Sequence, residues 1–301
     1  MKNIVISMFV FPWEIDGLER VLIGLKESSY NIHSNVKFHL SITLDTSSNR
    51  IDWEKSQIPW LMFADKLTNL KKICDWCECD FDYNTNGIVG GSAAKRRVDA
   101  LKYKDKVAAY VWLDTDIFFP KHILYALSTF VHHMKDQYYI ITPEIIKYWD
   151  NSWDIITNKK YMNQPFNHRD FFDMFSLDNE CMSMDATHLE QINGFKFGGG
   201  WFTCISHDLI QKATVPEFIG EYGPDDTWIT AFSQAYNAKY NKMLVKQHVM
   251  RNMVVTEIGA KYIVENHYKK YLNLKNVDIE SHKAKIWQSF NTEMSTHLTK
   301  V

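Results

Sequence analysis

Two acidic clusters carry the residue types most able to do chemistry in this chain. The first is Asp114-Thr115-Asp116, delivered at the end of the apolar run Val107-Ala108-Ala109-Tyr110-Val111-Trp112-Leu113. Such a run, with β-branched and aromatic members, reads as a strand buried on both faces of a parallel sheet; a buried helix is the other reading of its periodicity. Carboxylates at the exit of a parallel strand open onto the crevice where α/β folds take ligands. In extended chain, positions 114 and 116 share one face, so one can hold a divalent metal while the other holds a hydroxyl or a metal-bound water. The second cluster is Gly223-Pro224-Asp225-Asp226-Thr227-Trp228, a helix start whose two acids are stabilised by the helix dipole whatever else they do. Between them, Gly198-Gly199-Gly200-Trp201 reads as a loop feeding a strand that ends near Ser206. Its glycines serve either a loop that closes over a ligand or a simple bulge.

The elements that must position these residues follow from the hydrophobic pattern. A strand is predicted over Asn3 to Phe11, then a helix from near Asp16 on the spacing of Leu18, Val21, Leu22 and Leu25, then a strand over Val36 to Leu44. Asp45 ends that second strand, where it could contact a base or ribose or cap the turn that follows. Helical spacing resumes from about Leu61 to Trp76, a turn-rich stretch covers Asp82 to Gly91, and Ser92 is a plausible N-cap for a helix through Lys102. That helix carries Lys95, Arg96 and Arg97, which suit a diphosphate or a solvated basic face. A helix over Lys121 to Met134 and a strand over Tyr138 to Thr142 come next, then an aromatic-rich irregular stretch from about Tyr148 to Asp185. A short helix from His207, the helix opened by Pro224, a basic strand around Met243 to Val245, His248 and a mostly polar helical end complete the chain.

At 301 residues, 46% hydrophobic and 23% charged, the chain has the composition of a globular protein. Its 34 basic and 36 acidic residues nearly cancel, so no global field draws it to nucleic acid or an anionic membrane. No stretch reaches the length of a membrane span and Asn3 to Phe11 is too short for a secretory signal, which points to the cytoplasm. Five cysteines fit free thiols in a reducing compartment; Cys74, Cys77 and Cys79 crowd together as in a zinc site but lack the second pair such a site shows.

Taken in order, the N-terminal strand–helix–strand unit, the strand ending in Asp114-Thr115-Asp116, the Gly-Gly-Gly-Trp strand and the Pro-Asp-Asp helix start resemble the GT-A glycosyltransferases of the family-two type, over roughly residues 1 to 255. The resemblance implies a Rossmann-like α/β fold: a mixed, mostly parallel sheet flanked by helices. It further implies a catalytic domain over 1–255, with 1–120 the nucleotide-sugar half and 121–255 the acceptor side, and a helical C-terminal extension over 256–301. It also implies a nucleotide-sugar donor, a UDP-sugar favoured, and Mn2+ or Mg2+ held mainly through Asp116, with Asp114 near the ribose or sugar and His248 as a late metal ligand. Asp45 matches the acid that contacts the base, and Lys95 and Arg96 match positions near the nucleotide. Pro12, Gly199, Gly200 and Trp201 fall where the donor is lined. Asp225 and Asp226 match the pair that supplies the catalytic base, Asp226 preferred, for an inverting transfer to an acceptor hydroxyl. The chain departs from the family pattern in Phe11-Pro12-Trp13-Glu14, which replaces the usual turn after the first strand, and in Asp-Asp where Glu-Asp is commoner. The competing readings are metal-dependent phosphodiester or nucleotide-sugar hydrolysis, nucleotidyl transfer, and non-catalytic nucleotide-sugar binding. Acceptors compatible with the chemistry include glycans, favoured here, and hydroxymethylated DNA bases.

Overall fold

The computed structural model describes residues 1–11, 14–45, 60–84, 91–105, 107–147, 187–195, 199–219, 224–257 and 279–299. Pro12, Trp13, Gly198 and the aromatic stretch of 148–185 lie outside the described residues.

The strands are β1 (Lys2–Val10), β2 (Val36–Asp45), β3 (Glu78–Asn84), β4 (Ala109–Trp112), β5 (Ile117–Phe118), β6 (Tyr138–Lys147), β7 (His188–Ile192), β8 (Thr203–Ser206) and β9 (Val245–Glu257). They form one sheet in the order β3-β2-β1-β4-β8-β6-β9-β5, with β7 also paired to β9. Strands β1 to β4 run parallel, β8 lies antiparallel between β4 and β6, and β9 returns parallel to β6. The helices are α1 (Ile15–Ser28), α2 (Trp60–Ile73), α3 (Gly91–Lys102), α4 (Ile123–His133), α5 (His207–Ala213), α6 (Asp225–Lys239) and α7 (Ile279–Leu298).

Alternation along β4 explains why both faces must be covered. Ala109 and Val111 join a core with β1, β2 and helices α1, α2 and α4, whereas Tyr110 and Trp112 join the opposite core with α5, α6 and Phe290 of α7. The apolar run extends past the four paired residues: the Ala108 N–H donates to the Asn3 carbonyl at 2.7 Å and the Leu113 N–H to the Ser7 carbonyl at 3.2 Å. Asp114 is the residue that follows this last bond.

Two expectations of local structure are corrected. The turn expected from Asp82 begins later, because β3 runs on to Asn84; its acids at 80 and 82 are tolerated since β3 is an edge strand, where charge blunts further pairing. The C-terminal basic strand is far longer than three residues, because β9 is held between β6 on one side and β7 and β5 on the other. Cys74, Cys77, Cys79 and Cys204 are free thiols. Among the described residues no helix is long and apolar enough to cross a membrane.

Candidate active site

The parallel strands deliver Asp45, Asp114 and Asp116 to one edge of the sheet. Asp45 is fully buried at the last position of β2. The Asp114–Asp116 triplet bridges β4 and β5, and α1 pins it from the side: Arg20 donates to the Thr115 carbonyl at 3.0 Å and its guanidinium lies 4.3 Å from the Phe118 ring centre. Gly17 lets α1 come this close, since a Cβ there would sit 2.7 Å from the Thr115 carbonyl oxygen.

Arg96 organises the second half of the site. It leaves α3 nearly buried and stacks 4.2 Å over Trp112, the residue that ends β4. One guanidinium nitrogen donates to Asp225 and another lies 3.9 Å from Asp114. A guanidinium suits this place because its planar fork serves two carboxylates while its face rests on an aromatic ring. Asp225 is only 1% exposed, and burial pushes its carboxyl up while Arg96 pulls it down. Asp226, one residue on, accepts from the Thr227 N–H at 2.6 Å. Burial, and then the Asp225 charge, push Asp226 up to about 7, with Arg96 opposing. Helix α6 holds both acids through Trp228, whose indole N–H donates to the Ala213 carbonyl at 3.0 Å.

Gly200 closes the arrangement. A Cβ at this position would lie 2.5 and 2.8 Å from the Asp114 carboxylate oxygens and 3.0 Å from the Arg96 guanidinium, so a side chain is excluded where loop and carboxylate meet. Gly200→Ala is expected to displace Asp114 and to weaken binding of a divalent cation at this carboxylate by at least tenfold, about 1.4 kcal/mol, with little loss in melting temperature; calorimetric titration with Mn2+ would measure it. Unchanged affinity would mean that the contact is incidental.

Glu14 was not singled out by its sequence context. It stands at the N-terminal end of α1, accepts from the Phe11 N–H at 2.8 Å, and is pushed up to about 8, first by burial and then by the charges of Asp116 and Asp114. The signal was an acid directly after a predicted strand; its partnership with Asp114 and Asp116 depends on β1 lying beside β4. The donor set fits a hard divalent cation: Asp114 and Asp116 offer carboxylate oxygens, and their pressure on Glu14 is the repulsion that such a charge relieves. Proton linkage runs the same way. Glu14 and Asp226 bind protons more tightly in the fold than in the unfolded chain, so their contribution to stability is full below about pH 4 and is lost as pH rises toward 7 to 8. Glu14→Gln should therefore raise the melting temperature by about 2 °C or more at pH 8 and by less at pH 5. An equal effect at both pH values would remove Glu14 from the carboxylate cluster.

Three expected members are not brought here. Lys95 turns away from the edge: its ammonium is buried and donates to Ser41 at 2.6 Å and Asp99 at 2.9 Å, beneath the middle of β2. The Trp201 ring is 2% exposed and lies in the core instead of lining a crevice; it folds back over Gly199, where a Cβ would meet it at 1.8 Å. His248 lies in β9, three strands from β4 and level with Val111, and its Nε2 is 3.1 Å from Asp136. An interior position in β9 cannot reach an edge that the strand itself attains only near Glu257. Arg97 of the same basic run donates to the carbonyls of Pro216 and Ile219 at 2.6 and 2.9 Å, and Lys102 pairs with Asp80 at 2.7 Å. The run is thus largely spent on internal contacts.

No protein-family model matches the chain, and no curated protein does either. Among solved structures, the fold is similar to S. aureus TarS 1–349, with a TM-score of 0.51 at 12% identity over 96% of this chain and 70% of that chain. The same protein in complex with UDP-GlcNAc aligns with a TM-score of 0.49 at 12% identity, over 95% of this chain and 70% of that one. GalNAc-T7 with UDP, GalNAc and Mn2+ aligns with a TM-score of 0.47 at 12% identity, over 85% of this chain and 43% of that one. The chain has the GT-A fold, a mixed and mostly parallel sheet with flanking helices.

Proposed function

We propose that this protein is a metal-dependent glycosyltransferase that moves a sugar from a nucleoside-diphosphate sugar, a UDP-sugar favoured, to an acceptor hydroxyl with inversion. The observation that carries the reading is the convergence of Asp114, Arg96, Gly200, Asp225 and Asp226 from four stretches of chain beside the exit of β4. Structures similar in fold were solved with UDP-GlcNAc and with UDP, GalNAc and Mn2+, which is consistent with the donor class.

In this reading Asp45, at the end of β2, accepts from the base or ribose, and Asp114 binds the ribose or sugar. Mn2+ or Mg2+ held through Asp116 and Asp114 would supply positive charge to the departing diphosphate. Asp226 takes the acceptor proton while the acceptor oxygen attacks the anomeric carbon and the bond to the diphosphate breaks. A base pushed up to about 7 suits that task, because it is both strong enough to take the proton and substantially ionised near neutrality. Arg96 holds Asp225 and so positions Asp226 next to it. A glycan acceptor is favoured over a modified DNA base, because Lys95, Arg96, Arg97 and Lys102 are engaged within the fold and do not form an open phosphate-binding face.

The test is transfer from UDP-, GDP-, CDP- and ADP-sugars with Mn2+ or Mg2+ to a panel of glycans and to hydroxymethylated duplex DNA. Loss of donor sugar to water without acceptor, at the rate seen with acceptor, would replace transfer by hydrolysis. In active pairs, kcat/KM should fall on the acid side with a midpoint near pH 7, as Asp226 takes up its proton. A flat profile between pH 5.5 and 8 would move the base role elsewhere.

A further inference from the structure

A second polar cluster lies at the opposite edge of the sheet. His33, just ahead of β2, meets His132 and His133 at the end of α4, and one ring nitrogen from each falls within 4.8 Å of the others. The His33 and His132 rings stack with centres 4.0 Å apart, and His133 stands edge-on to both, at 5.9 Å from His33 and 4.8 Å from His132. The backbone is fixed around them: the His33 N–H donates to Ser128 at 3.0 Å, and Lys2 donates to the carbonyls of Val131 and His132 at 2.8 and 3.1 Å. The Nδ1 atom of His132 is buried with no hydrogen-bond partner. An orphaned buried nitrogen among three imidazoles is a costly arrangement unless something occupies its lone pair.

We propose that His33, His132 and His133 bind one borderline-soft divalent ion, zinc above all, which clips the connection between α1 and β2 onto the end of α4. Three imidazoles are a set that selects zinc, nickel or copper over the magnesium and manganese favoured by carboxylates. The C-terminal end of α4 adds the negative pole of its dipole, which favours a cation. Lys2 opposes a cation, but its ammonium is tied to the helix carbonyls. Tetrahedral ligands with zinc–nitrogen bonds of about 2.0–2.1 Å place their nitrogens about 3.4 Å apart, so the rings must draw together by rotation about their side-chain bonds. His133 is exposed and His33 and His132 are partly exposed, which leaves room for that movement. His33 accepts from the Asn35 N–H through Nδ1 at 3.2 Å; ligation through Nε2 moves the ring proton to Nδ1 and passes that exposed N–H to water.

The experiment is titration of the full chain with Co2+, followed by its visible absorption, and competition with Zn2+. Wild type should bind one cobalt ion with the intense visible band of a four-coordinate, nitrogen-ligated site, displaced by Zn2+ and insensitive to excess Mg2+. His133→Ala, at an exposed position that should not disturb folding, should weaken Co2+ and Zn2+ binding by at least about 10- to 100-fold, and His33→Gln should do the same. Asp116→Asn should leave the band unchanged, which separates this site from the carboxylate edge. Absence of a band in wild type, a band that survives His133→Ala, or one lost in Asp116→Asn would each overturn the proposal.

Discussion

Asp226→Asn is expected to lower kcat by about 10²–10⁴-fold while the affinity for the nucleotide-sugar donor stays near its wild-type value. The isosteric change keeps an oxygen for the Thr227 N–H, now bonded at 2.6 Å, so a role limited to the start of α6 would survive it. It removes only the ability to take a proton. Single-turnover transfer with donor saturating, alongside calorimetric donor titration, separates the two effects. Loss of donor binding together with turnover would place Asp226 on the donor, and unchanged turnover would refute the assignment of the base. Asp225→Asn should be damaging for a different reason, because it deprives the buried Arg96 of its counter-charge. The two substitutions should therefore differ in melting temperature, with Asp225→Asn the less stable.

Arg96→Leu should destabilise the fold by about 3–5 kcal/mol, the range seen when one member of a buried ion pair is removed. Asp225, 1% exposed, would lose its counter-charge, and Trp112 would lose the guanidinium packed 4.2 Å above it. The loss should grow with pH, since at low pH Asp225 can take up a proton and become neutral. Leu at both positions, Arg96→Leu with Asp225→Leu, should recover much of the stability, because a buried pair replaced by apolar groups leaves no orphaned charge. Urea denaturation at pH 5.5 and pH 8 tests both statements. A loss below about 1 kcal/mol, or no recovery in the double variant, would show that the pair is solvated in solution and worth no more than a surface bridge.

Much of this architecture is written in local patterns. The near-continuous apolar run of β1, the alternating apolar residues of β2, the helical spacing of α1 and the run into Asp114 specify a strand–helix–strand unit with carboxylates at its exit, because strands and helices buried in such a sheet demand those patterns. Pro224 and two acids mark the start of α6 for equally local reasons. Chain order also made the GT-A resemblance visible. Which side chains meet is another matter. Lys95 and Arg96 are neighbours on one helix, yet one serves Asp99 and the other Asp225, since successive residues of a helix point about 100° apart and only the packing of α3 assigns each a destination. The basic run therefore looked like a phosphate patch and became two buried ion pairs and a latch.

His248 and Glu14 are the complementary cases. His248 has the right chemistry for a metal, but strand order places it three strands away beside Asp136. Glu14 carries no motif, and becomes part of the carboxylate cluster because β1 ends beside β4. At the far edge His33 lies about a hundred positions from the adjacent His132 and His133, and only the return of α4 to the start of β2 unites them. Hydrophobic period, capping and turn chemistry act over a few residues, so local patterns specified β1, β2, β4, β6 and β8, the helices and the acids at their ends, whereas β3, β5, β7 and the length of β9 came from pairing across the sheet. Only the tertiary structure decided which of those groups share a site, because strand order and helix packing join segments whose contacts depend on the whole sheet.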